Sequence, residues 1–270
     1  MMQGMELIRH RRSVRTFDGR ALKAEDAQRI LERAAAMENP WGIPVEWNLL
    51  SAKAQGLSSP VIVGADSWIA GKLRRVPHAE EAFGYAFERL VLYAESLGIG
   101  TTLIAGTMDR PAFERAMALG PDEVMPCVSP LGYPAERMSL RETMMRKGVR
   151  ADSRLDFSTL FYDGSFTAPL TPARAGALQD ALEMLRWAPS AVNKQPWRVV
   201  LGKDRAHFYE KQSRGYVDAR GWDLQRVDMG IAMCHFVYGL ETAGKSAELT
   251  YADPGLTPPA DTRYVASWVI

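Results

Sequence analysis

Trp187-Ala-Pro-Ser-Ala-Val-Asn-Lys-Gln-Pro-Trp197 is the stretch on which the reading of this chain turns. Pro189 stops a helix that ends at Trp187, because its ring removes a backbone donor and crowds the preceding turn. Ser190 and Asn193 put polar groups into the loop that follows, and Pro196 fixes the entry into a strand beginning at Trp197. A proline-punctuated surface turn accounts for the Pro-Ser pair but not for the whole string. Gln195 and Trp197 read as structural, closing the loop and seating the strand. Working backwards, Thr171 to Trp187 predicts a helix with threonine as N-cap and Pro172 at the first helical position. Working forwards, Trp197 to Leu201 and Ala206 to Tyr209 predict a hairpin turning at Gly202-Lys-Asp204. A long helix over Asp223 to Ala243 is ended by Gly244, and Ala247 to Tyr251 and Arg263 to Ile270 supply the last strands.

The first half runs through a similar order. Ala27, Ile30, Leu31 and Ala34 have the spacing of an amphipathic helix over residues 23–37. Val45 to Leu50 and Pro60 to Gly64 predict short strands. Ala79 to Leu97 predicts a long helix with Phe83, Phe87, Leu90, Val91 and Ala94 along one side, stopped by Gly98. Thr101 to Ala105 and Glu123 to Leu131 then predict strands, with a helix at Arg110 to Ala118 between them. Helix–glycine–strand successions occur in any α+β chain. The local echoes go further, setting Phe87 to Gly98 beside His235 to Gly244, and Pro126 to Gly132 beside Tyr264 to Val269. They favour a duplication joined near the charged stretch Arg146 to Asp152, with halves at 1–148 and 149–270.

The 270 residues leave room for two modest domains, and 47% apolar with 24% charged residues is an ordinary globular composition. A formal net charge of +1 argues against nucleic-acid or membrane-surface partners, which need a broad basic field. No apolar run reaches membrane-span length, and the start is not a secretory signal. Cys127 and Cys234 lack metal-type spacing and sit in apolar segments, so buried free thiols and a cytoplasmic location are expected. His10, His78, His207 and His235 share no helical metal spacing. The chain has neither a Gly-Xaa-Ser-Xaa-Gly elbow nor a phosphate loop, and Gly98-Ile-Gly100 closes a helix instead of opening one.

At the other end lies Arg11-Arg-Ser-Val-Arg15, with three guanidinium groups and a hydroxyl in five residues. Guanidinium forks are always charged and bind oxyanions bidentately. Taken alone, such a run could also be a basic surface at the end of a short helix. Taken together with the 187–197 loop, it resembles the flavin-binding pieces of the FMN-dependent nitroreductase family, specifically a branch in which one polypeptide does the work of two subunits. In ordinary members both pieces lie near the start of one subunit, and a homodimer unites them. Here most of the chain separates them.

The resemblance implies an α+β fold of two tandem, pseudo-twofold related halves, each a mostly antiparallel sheet flanked by helices. It implies FMN between the halves. Arg11 and Ser13 would hold the phosphate, Arg12 the ribityl region, and Arg15 the pyrimidine edge, where positive charge favours the anionic reduced form. Pro189, Ser190 and Asn193 would meet the ring. Small residues at Ala105 and Gly106 would let a main-chain N–H approach flavin N5, although the same segment reads equally well as a strand end and turn. Pro130-Leu-Gly-Tyr-Pro134 followed by Arg137 resembles the family's return to the phosphate. Arg137 is preferred there to Arg141, and a solvated arginine fits either position.

The reciprocal pieces are degenerate. Arg154 to Ser158 lacks the arginine cluster, and Ala34 to Trp41 keeps only a fragment of the loop, so one FMN per chain is expected. The implied activity is two-step hydride transfer from NAD(P)H, a transient donor, through FMN to a small-molecule electron acceptor such as a nitroaromatic or quinone. No catalytic side chain is needed, because the cofactor carries the chemistry, and the fused chain would act as a monomer. A flavin carrier or sensor without turnover, and a cofactor-free scaffold, are the alternatives. Gly164 to Pro169 and Ser213 to Trp222 are the candidate substrate loops.

Overall fold

The computed structural model describes residues 2–217 and 221–270, so part of the candidate loop Ser213 to Trp222 lies outside the described residues. The chain forms two compact units. Unit 1 holds Met1–Ala79 and Ala86–Ala151, and unit 2 holds Glu80–Tyr85 and Asp152–Ile270.

Unit 1 begins with α1 (Gly4–His10), α2 (Ala24–Ala35), β1 (Glu46–Ser51), α3 (Ala52–Gln55) and β2 (Ser67–Arg74). After α4 (Ala79–Ser96) come α5 (Arg110–Ala116), β3 (Glu123–Val124), β4 (Val128–Leu131) and α6 (Leu140–Gly148). Strand β2 is the hub of an antiparallel sheet: β1 pairs along one side, and β3 and β4 share the other. The residues from Trp68 to Leu73 are all buried, and Trp68 packs edge-on against Phe113 of α5 with ring centroids 5.1 Å apart. Capping is local and regular: the Asp109 side chain accepts from Ala112 N–H at the start of α5, and Gly98 at φ 74 closes α4.

Unit 2 contains α7 (Phe157–Leu160), β5 (Phe161–Asp163), α8 (Gln179–Arg186), β6 (Trp197–Leu201), β7 (Arg205–Lys211), α9 (Leu224–Thr242), β8 (Glu248–Thr250) and β9 (Thr262–Val269). Its sheet runs β5-β6-β7-β9-β8, with β5 parallel to β6 and the other pairs antiparallel. Helix α9 is buried almost all round, from Val227 to Leu240, and packs on α8. The first turn of α4, assigned to this unit, meets α9 at very short range: a Cβ at Gly84 would lie 2.1 Å from Val227 O, and one at Gly230 would lie 2.0 Å from Glu81 O.

The α+β class and the antiparallel sheets flanked by helices match the sequence reading. Several element assignments do not. Pro60 to Gly64 makes only a single bridge, Val63 to Thr16. Thr101 to Ala105 is likewise a run of isolated bridges, and Glu123 to Leu131 breaks into two strands around Pro126. The helix expected over Thr171 to Trp187 is a 3-10 segment, Pro172–Leu178, and then α8, divided at Gly176 with φ 54; Thr171 makes no side-chain cap. Strand β2 and helix α6 were not anticipated.

Candidate functional site

In unit 1 the arginine motif leaves α1 as an extended segment. Val14 N–H donates to Thr101 O at 2.8 Å, Val63 N–H to Arg15 O at 2.9 Å and Phe17 N–H to Val63 O at 2.8 Å. Gly64, at φ 82, makes this approach feasible, since a Cβ there would sit 2.4 Å from Phe17 O. Ser13 is bridged to Thr101. The segment is therefore pinned by main-chain bonds on both sides, which fixes where its side chains start.

The three arginines meet two buried acids. Arg11 Nε lies 3.7 Å from Glu88 Oε1 of α4, with side chains 8% and 2% exposed. Arg12 Nη1 donates to Glu142 Oε1 of α6 at 3.2 Å, and Glu142 is 1% exposed. The other Glu142 oxygen accepts from Arg15 N–H at 3.2 Å. Burial pushes the Arg15 guanidinium below its usual range, Glu142 opposes the fall, and Arg146 adds to it. Two carboxylates thus face three guanidinium groups, and Nε of both Arg11 and Arg15 is buried without a hydrogen-bond partner. A cationic surplus with buried, unspent donors fits a phosphate-bearing ligand.

The other first-half residues are more dispersed in character. Ala105 turns its carbonyl to Arg110 Nη2 at 3.0 Å, while Gly106 is exposed with open space on its Cβ side. Arg137 is exposed just before α6. Arg141 donates to Pro60 O, so its guanidinium is engaged on a loop carbonyl.

In unit 2 the Pro-Ser loop is held under tension. Val192, Asn193 and Gln195 all have left-handed backbone, at φ 51, 55 and 51; for a β-branched residue such as Val192 this is a true outlier. Ser190 Oγ accepts from Gln195 N–H at 2.8 Å, which leaves its O–H available to donate outward. Asn193 Nδ2 donates to Ser153 O at 3.1 Å, and Gln195 Oε1 accepts from Leu155 N–H at 2.9 Å. Pro189 is half-buried beside them. Gln195 at 3% exposure and Trp197 at 0% occupy the structural positions expected of them.

Sequence reasoning missed the group beneath this loop. Asp228 of α9 is wholly buried, and both its carboxylate oxygens accept from Ala191 N–H, at 3.0 and 3.1 Å. Burial drives its carboxyl well above the ordinary range; the Ala191 bond opposes this, and Asp223 and Glu210 reinforce it. Glu142 was missed as well, although Ser139 three residues before it is the signature of a helix start.

Among the described residues no His, Cys, Asp and Glu cluster could hold a metal ion, and both cysteines are buried. No helix of the described residues is long and apolar enough to cross a membrane.

A mixed α/β fold with antiparallel sheets thus carries a basic, anion-type motif in unit 1 and a strained Pro-Ser loop in unit 2. The profile of the family described as "Putative TM nitroreductase" matches residues 3–240, so the chain belongs to that nitroreductase family. A Methanothermobacter thermautotrophicus protein described as "Putative NADH dehydrogenase/NAD(P)H nitroreductase" is 30% identical over 161 residues, 52% of this chain and 82% of the relative. A Thermotoga maritima structure described as a putative nitroreductase shares the fold over 99% of this chain and 94% of its own, with TM-score 0.61 and 20% identity. A Clostridium difficile R20291 structure described as an FMN-dependent nitroreductase covers 49% of this chain and 88% of its own, at TM-score 0.41 and 18% identity.

Proposed function

We propose that this chain is an FMN-dependent NAD(P)H oxidoreductase with one FMN per chain, acting on nitroaromatic or quinone-like acceptors. The observation that carries this reading is the arginine motif itself: three guanidinium groups against two buried carboxylates, with two buried Nε donors unspent. When bound, FMN supplies two-step hydride transfer through N5, from the nicotinamide donor to the acceptor.

The chain's own residues bind and orient. Arg11, Ser13 and Arg137 are assigned to the phosphate and Arg12 to the ribityl chain. Arg15 brings positive charge to the pyrimidine edge. Pro189 would be assigned to the ring and Ser190 and Asn193 to its polar edges, with the Ser190 O–H as the donor that its bond from Gln195 leaves over. The main-chain N–H groups at Ala105 and Gly106 are assigned to N5. Residues 1–148 would be one nitroreductase-like half and residues 149–270 the other.

The purified protein should show flavin absorption with one FMN per chain, bleached anaerobically by NADH or NADPH. Two FMN per chain would overturn the single-site reading, and a flavin that stays yellow with both donors would overturn the enzyme. Arg11→Ala and Ser190→Ala should each weaken FMN binding; full affinity in both would sink the site assignment.

A further inference from the structure

Helix α6 opens with Ser139-Leu-Arg-Glu142, the spacing of a capping box in which the glutamate normally reaches back to the N-cap N–H. Only half of that box forms. Glu142 N–H donates to Ser139 Oγ at 3.1 Å, but Ser139 N–H is taken by Thr16 Oγ1 at 3.0 Å. The Glu142 carboxylate turns instead into the arginine motif, receiving Arg12 Nη1 on one oxygen and Arg15 N–H on the other, each at 3.2 Å. The Thr16 hydroxyl in turn donates to Ser139 Oγ at 3.0 Å, tying the residue after the motif to the same helix start. A carboxylate 1% exposed persists as an anion only when its partners offset its desolvation. Its two donors here come from one five-residue motif.

We infer that Glu142 is a positioning residue of the flavin site: it fixes the Arg12 fork and the Arg15 main chain, and its charge sets how much of the Arg15 charge is left for the ligand. The field of Glu142 is felt at the Arg15 guanidinium, where it opposes the lowering caused by burial. The inference rests on the FMN reading above. It predicts a residue that touches no cofactor atom yet controls both affinity and potential, because reduction of a bound flavin adds two electrons and one proton, hence one negative charge.

The test compares Glu142→Gln and Glu142→Asp with the wild type, using FMN titration by fluorescence quenching and potentiometry against a redox dye. Glutamine can accept at only one of the two positions and carries no charge. FMN affinity should fall about tenfold, ~1.4 kcal/mol. Preference for the reduced flavin should rise about tenfold, an upward shift of ~30 mV for a two-electron couple. Aspartate keeps the charge but shortens the reach, so it should weaken FMN binding and leave the potential in place. Unchanged affinity in both variants would overturn the inference, as would equal potential shifts in both. Tighter FMN binding by Glu142→Gln would overturn it too, marking the carboxylate as a stand-in for phosphate. If neither variant folds, Glu142 holds the core and not the site. A wild type that binds no FMN would instead remove the functional reading itself.

Discussion

Replacing Gly84 by alanine would put a methyl carbon 2.1 Å from Val227 O, and replacing Gly230 would put one 2.0 Å from Glu81 O. Both obstacles are main-chain oxygens, so no side chain can swing aside. Restoring even a 3.0 Å contact requires the first turn of α4 and α9 to separate by about 1 Å at their crossing, against a usual interaxial distance of ~8–10 Å. Overpacking of this kind costs about 1–3 kcal/mol, and alanine returns about 1 kcal/mol of helix propensity. Because the obstacles are rigid main chain, the cost belongs at the upper end of that range, so the expected net loss is roughly 2 kcal/mol for either variant, with the midpoint of thermal unfolding falling by roughly 4–8 °C. Both methyls open the same crossing, so the double variant should lose clearly less than the sum. Gly148→Ala, at the end of α6 with nothing within 4 Å, is the control and should be neutral or better. Urea and thermal unfolding read the outcome. Losses below about 0.5 kcal/mol for both single variants, within the range of ordinary surface substitutions, would refute the close crossing; strict additivity would refute the shared mechanism. Asp228 lies between Val227 and Gly230, so displacing α9 should also loosen its hold on Ala191 N–H; under the proposed function, FMN affinity should then fall with stability.

Other expectations concern the strained loop and its anchor. Burial raises the folded-state pKa of Asp228, so above the ordinary aspartate value of 3.8 the folded state binds more protons than the unfolded one, and stability is lost as pH rises through the folded pKa. Asp228→Asn keeps an acceptor for Ala191 and should remove that slope, gaining on the wild type as pH rises; parallel stability curves would refute the assignment. Val192 is 60% exposed and left-handed, so glycine there forfeits little burial. Relief of the αL penalty should outweigh the added unfolded-state freedom and raise stability by about 0.5–1 kcal/mol. A loss of similar size in chemical denaturation would show that the Val192 side chain packs after all.

Legibility from sequence followed physical cause. The long helices α4 and α9 were readable because each presents a sustained apolar pattern and a closing glycine, and the β6–β7 hairpin because branched residues flank a Gly-Lys-Asp turn. Strand β2 was hidden because it is buried from Trp68 to Leu73, with Gly71 and Lys72 inside it and no alternation to see; Lys72 is tolerated by pairing with Glu46 and Glu123. Helix α6 was hidden for the opposite reason: Leu140 and Met144 are 84% and 73% exposed, so its apolar residues do not mark a core face. The basic motif and the Pro-Ser loop stood out as strings. The acids that brace them did not, because Glu88, Glu142 and Asp228 are three among 32 carboxylates, and nothing local says which will be buried.

The division of α4 between the units bears on how the chain is made. Residues 80–85 emerge early, with Ala82 and Phe83 destined to be fully covered, yet α9, which meets them, ends only at Thr242. At about 5–20 residues per second, that short segment waits on the order of 10 s for α9, a wait that continues after the last residue of unit 1, Ala151, has been made. Synthesis halted near residue 151 would leave Glu81 and Gly84 without the α9 main chain that they meet. Residues 152–270 supplied separately would lack the turn that α9 requires.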